Sequence, residues 1–136
     1  MDGSGAAGHS WFNNNGTQGV TFSFNATQIG FLPKSVGIVW TDGNNPINFE
    51  AFDTIGNPLG TLTGNHADDS FFGTTAEDRF YGVSYAGGIG SIRLSSTRGG
   101  GIEVDHVQYA ADAVPEPMVA TLVLPIGFVL FRWRGH

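Results

Sequence analysis

Cysteine is absent from the 136 residues. No disulfide can brace the fold, and no thiolate can bind a metal or act as a nucleophile. Lysine is nearly absent too, with Lys34 alone, and charged residues make up only 13% of the chain. Residues 1–117 hold four basic side chains against twelve acidic ones. Such a body repels a phosphate backbone, so nucleic acid is not an expected partner. Residues 1–19 carry no basic start followed by a 7–15-residue apolar core, so they do not read as a secretory signal. No segment before residue 117 shows an apolar i, i+3, i+4, i+7 face longer than about two turns, which argues against a helical domain.

What is present in quantity is glycine, 21 residues of it, arranged with Asn, Asp and Pro into turn signals. Between these signals lie short runs of strand character. Val20, Phe22 and Phe24 alternate with Thr21, Ser23 and Asn25, the pattern of a half-buried strand with aromatic rings inward. Val36–Trp40 is a nearly continuous apolar run that ends on a core tryptophan. Asp42–Pro46 is a turn cluster, and Ile47, Phe49 and Ala51 form the next alternating strand. Ile55–Pro58 turns into a short strand at Leu59–Leu62, and Asn65–Thr75 reads as a longer polar loop. Strands follow at Phe80–Tyr85, Ile89–Ser95 and Ile102–Tyr109, separated by turns at Ala86–Gly88 and Arg98–Gly101. The last strand slips phase: Ile102 and Val104 share one face, while Val107 and Tyr109 fall on the other. Either a bulge near Asp105 shifts the register or the strand is buried on both sides.

Short strands with turn signals between them predict an all-β fold. Eight or nine strands in this length suit a jelly-roll-like antiparallel β-sandwich. The expected division is a flexible segment at 1–19, the sandwich at 20–110, a linker at 111–117 and a hydrophobic, arginine-containing tail at 118–136.

That tail is the most specific feature of the chain. Val114, Pro115, Glu116 and Pro117 form an extended stretch, because each proline fixes its own φ and restricts the residue before it. Val119–Phe131 then runs apolar for 13 residues, with Leu122, Leu124, Ile126 and Phe128 among them and Thr121 as its one polar member. Arg132 and Arg134 close it. An uncharged interior with arginines just beyond is the pattern of a membrane segment anchored on the cytoplasmic side. As a helix the run spans about 20 Å, against about 30 Å for a bilayer core, and Pro125 and Gly127 weaken it. A transient anchor is therefore easier than a permanent span. The competing reading is a terminal strand or helix packed on the sandwich.

The order of these parts resembles the PEP-CTERM sorting signal of Gram-negative, exopolysaccharide-producing bacteria. The resemblance implies recognition by an exosortase-type membrane protease near Pro115-Glu116-Pro117. It also implies passage through the inner membrane and delivery to the cell surface or extracellular matrix. Residues 20–109 are similar to domains found ahead of that signal, through Gly37–Gly43, Thr74–Val83 and Gly101–Tyr109. No activity is implied by that likeness.

Motifs for catalysis are weak. Gly82-Val83-Ser84-Tyr85-Ala86 lacks the strand–turn–helix context of a nucleophile elbow. Gly99-Gly100-Gly101 lacks the Lys-Ser/Thr of a phosphate loop. His9, His66, His106 and His136 have no zinc-ligand spacing. The expectation is a protein that is not an enzyme. Calcium is the better ligand candidate, because it takes carboxylate, amide and carbonyl oxygens from loops. Glu103 and Asp105, on one face of a strand, and Asp42 are the leading ligands; Asn44, Asn45, Asp68, Asp69, Glu77 and Asp78 are further ones. The alternative function is a carbohydrate-binding module for exopolysaccharide, with the turn-proximal aromatics Trp11 and Tyr85 as stacking surfaces.

Overall fold

The computed structural model describes residues 9–68, 70 and 75–112. Over these residues the fold is all-β, two antiparallel sheets of four strands each. The strands are β1 (Trp11–Asn13), β2 (Val20–Ser23), β3 (Ser35–Gly43), β4 (Ile47–Phe52), β5 (Pro58–Gly64), β6 (Arg79–Ser84), β7 (Ser91–Ser96) and β8 (Ile102–Ala110). One sheet runs β1-β8-β3-β6 and the other β2-β7-β4-β5.

The pairing has a simple logic. β4 pairs with β5, β3 with β6, β2 with β7 and β1 with β8. The chain is thus one long hairpin, β1 to β4 running out and β5 to β8 running back, rolled into two layers. The β3–β8 and β4–β7 ladders complete the sheets.

The alternation read from sequence places the core. Ile47, Phe49 and Ala51 are buried while Asn48, Glu50 and Phe52 are half-buried. Ile38 and Trp40 of β3 face Ile92 and Leu94 of β7 in a core that also holds Ile89, Ile102 and Val104, all of them fully or almost fully buried. Each such aliphatic side chain contributes on the order of 1.5–3 kcal/mol by leaving water. Phe22 and Phe24 pack against this core from β2 and its end. A four-residue helix, α1 (Ala26–Ile29), bridges β2 and β3. Asn25 caps it through Thr27 N–H, and Gly30 ends it in the left-handed conformation.

The phase slip in β8 is a bulge. Val39 stands opposite Asp105 and Gly37 opposite Gln108, so β8 spends one more residue than β3 over that stretch. His106 takes up the extra residue at φ 51°, and Val107 returns to the core side. β1 begins at Trp11, inside the segment expected to precede the sandwich. Its three residues gain their strand character from the ladder to β8, which no local pattern announces.

The sorting motif Val114, Pro115, Glu116 and Pro117, the apolar run, Arg132 and Arg134 lie outside the described residues, as does the expected C-terminal helix. Among the described residues no helix is long and apolar enough to cross a membrane.

Candidate functional site

One end of the β1-β8-β3-β6 sheet gathers the groups with unusual chemistry. β3 carries a second irregularity here: Trp40 stands opposite Val104, but Asp42, not Thr41, stands opposite Glu103. On its other edge Glu103 stands opposite Phe12 of β1. Phe12, Glu103 and Asp42 therefore form a row across three neighbouring strands, each about 4.8 Å from the next.

These three residues, with Gly43, Asn44 and Gly101, line a cavity of about 270 Å³. The cavity walls are tied down. Asn44 Nδ2 donates to the Gly99 carbonyl at 3.0 Å, joining the β3–β4 connection to the β7–β8 turn. Gly16 N–H donates to the Gly100 carbonyl at 2.6 Å from the β1–β2 loop. Ser10 Oγ donates to Glu103 Oε1. Phe12 remains 63% exposed. Its ring lies against Gly101, where a Cβ would meet Phe12 Cε2 at 2.5 Å, so glycine is what lets the ring lie close to the turn.

The acids in and behind this cavity raise one another. Burial lifts the Asp42 carboxyl above its ordinary value; Gly43 N–H pulls it back and the charge of Asp68 adds to the rise. Glu103 is raised by burial first, then by Asp42 and Asp105. Behind Asp42, on the 3-10 turn Thr75–Glu77, the Glu77 side chain is only 2% exposed. Its Oε2 accepts from Asp68 N–H at 3.1 Å, while its Oε1 has no hydrogen-bond partner among the described residues. Burial raises this carboxyl, and the charges of Asp68, Asp42 and Asp78 raise it further, against the Asp68 N–H. A buried carboxylate without a cation is costly, so these groups hold their protons more tightly than free acids do. Beside them, burial lowers the His66 imidazole, whose Nε2 shares a 2.7 Å hydrogen bond with the Tyr81 hydroxyl.

Of the candidate metal ligands, the fold brings Asp42 and Glu103 face to face. Asp105 sits two residues on, with its Oδ2 3.1 Å from His106 Nδ1 across the bulge. Among the described residues no three His, Asp or Glu side chains are gathered as a group that could hold a metal ion. The candidate stacking residues Trp11 and Tyr85 are both exposed but do not share a platform. Trp11 is level with Trp40 of β3, through Val104, and Tyr85 follows Ser84, which pairs with Ser35. Five residues of β3 separate those levels, about 17 Å. Phe12 is the site residue that sequence reasoning missed. Its one signal is that it sits beside Trp11 as an apolar pair in a Gly- and Asn-rich stretch.

The residues above define a β-sandwich with an acidic, aromatic-rimmed cavity at one end of a sheet. No family model, curated protein or solved structure matches the chain.

Proposed function

We propose that this protein is an exported, non-enzymatic surface or extracellular-matrix component, delivered through a PEP-CTERM-like tail and processed by an exosortase-type protease. The observation that carries this reading is the order of Val114-Pro115-Glu116-Pro117, the apolar run Val119–Phe131 and the pair Arg132 and Arg134. One structural fact supports it: β8 ends at Ala110, four residues before Val114. The eight-strand, doubly paired order supports reading the sandwich as a jelly roll. The mass of the chain's C-terminus in its host tests the proposal. A chain ending near Pro115–Pro117 outside the cell is the expected result. An intact His136 in soluble cytosolic protein overturns it.

A second reading is a carbohydrate-binding module for exopolysaccharide, and the Phe12–Glu103–Asp42 cavity favours it. Affinity electrophoresis in matrix polysaccharide tests it: retardation is expected, and unchanged mobility counts against it. Calcium stabilisation through Glu103, Asp105 and Asp42 belongs to this reading. A melting midpoint unchanged between calcium and chelator removes it.

A further inference from the structure

We infer that the cavity bounded by Phe12, Asp42 and Glu103 is a subsite for a protonated amino sugar, one ring of a cationic polysaccharide. The inference rests on the carbohydrate-binding reading and is independent of the tail.

The cavity suits one ring. At about 270 Å³ it lies just below the range of about 300–1,000 Å³ typical of small-molecule sites. Its flanks are pinned by the Asn44–Gly99 and Gly16–Gly100 hydrogen bonds, so it holds a compact group better than an extended peptide. Phe12 supplies the stacking face. Its ring is 63% exposed at the cavity's edge on the short strand β1 and rests against Gly101. A pyranose lays its C–H face on such a ring, and an ammonium group within about 6 Å of the ring gains from the same π surface.

The carboxylates select charge. Asp42 and Glu103 oppose each other across the β3–β8 ladder, where like charges destabilise. Beyond the cavity lining Glu77 is buried, its Oε1 without a partner among the described residues, and Asp68 adds its charge to Asp42. A neutral sugar accepts and donates hydrogen bonds here but leaves the repulsion in place. An ammonium group relieves it and makes charge-assisted hydrogen bonds to both acids.

The test is calorimetric titration of the full chain with a glucosamine hexamer, its N-acetylated counterpart and a lysine hexapeptide, at a pH where the amines are charged. The glucosamine hexamer is expected to bind, and to bind less tightly as salt rises. Phe12→Leu and Glu103→Gln each weaken it by about tenfold, while Phe12→Tyr keeps it. Phe12 is exposed, so its substitution leaves the fold intact, and the melting midpoint of each variant checks this. Equal binding of the acetylated hexamer overturns the charge selection. Tighter binding of the lysine peptide overturns the sugar class. Glucosamine binding unchanged in Phe12→Leu and Glu103→Gln overturns this site while leaving a carbohydrate module elsewhere on the surface. No binding of the glucosamine hexamer overturns the proposal.

Discussion

Two pairs of charged residues stand opposite one another across the ladders of this sandwich and meet opposite fates. On one sheet Arg93 of β7 stands directly opposite Glu50 of β4. Their Nη1 and Oε2 atoms are 3.0 Å apart, and Arg93 also donates to the carbonyls of Thr17 and Gln18. On the other sheet Glu103 of β8 stands opposite Asp42 of β3, acid against acid. The first pair neutralises its charges within the fold and ties the β1–β2 loop to the sheet. The second leaves negative charge at the mouth of a cavity. Register alone does not separate structure from function; whether the charges are answered within the fold does.

The largest way to break this comparison is to remove the core that supports the acidic end. Trp40 is fully buried and its ring edge abuts Gly43. Trp40→Ala is expected to cost about 3–5 kcal/mol, read as a fall in the denaturation midpoint with unchanged slope.

Next comes Glu77→Gln, which keeps the side-chain shape and an acceptor for Asp68 N–H. It is expected to raise stability at neutral pH, because a neutral amide avoids the cost of burying a charge. Burial lifts the folded-state pKa of Glu77 above the ordinary 4.5, so the folded protein binds the proton more tightly than the unfolded chain does. The native protein is therefore most stabilised by this group below that ordinary value, and it loses the contribution as pH rises through the folded-state pKa. The advantage of Glu77→Gln should vanish below about pH 4.5. Melting midpoints taken across this range check it, and a constant difference at every pH would show that ionisation is not the cause.

Smaller still, Arg93→Ala is expected to lower stability by about 0.5–1.5 kcal/mol, because both partners are partly exposed and water screens the pair. Part of that loss should fade in high salt. The smallest effect is the mirror of it: Glu103→Gln removes the like-charge opposition and should gain about 0.2–1 kcal/mol. A double-mutant cycle on Asp42 and Glu103 should return a repulsive coupling, and one on Arg93 and Glu50 an attractive one.

Much of the frame was legible because its signals are local. The period-two runs at Val20–Phe24 and Ile47–Ala51 report their own buried faces. The phase slip in β8 was legible, but the sequence left a bulge and a strand buried on both sides as alternatives, and the β3–β8 register decides for the bulge. The acidic end was legible only in part. Asp42, Glu77 and Glu103 stand out as acids, yet nothing in the chain says that an extra residue at Thr41 aligns Asp42 with Glu103. Phe12 was hidden for the same reason: its place beside Glu103 comes from a ladder spanning about ninety positions of sequence. Side chains that meet through pairing of distant strands leave no periodic trace.

The rolled hairpin nests its strand pairs one inside another. β4 and β5 are joined by residues 53–57, a loop closed by Asp53 accepting from Ile55 and Asn57 N–H. Each further pair, β3–β6, then β2–β7, then β1–β8, encloses the one before it. Once an inner pair has formed, the next closure costs only the added length, and loop entropy grows slowly, by about 0.6 kcal/mol per doubling. The topology thus lets long-range strand pairing proceed as a succession of short steps, from the hairpin tip outward. In that order of closure the β1–β8 ladder, which places Phe12 beside Glu103, would close last, and the cavity would take shape on a sandwich already in register.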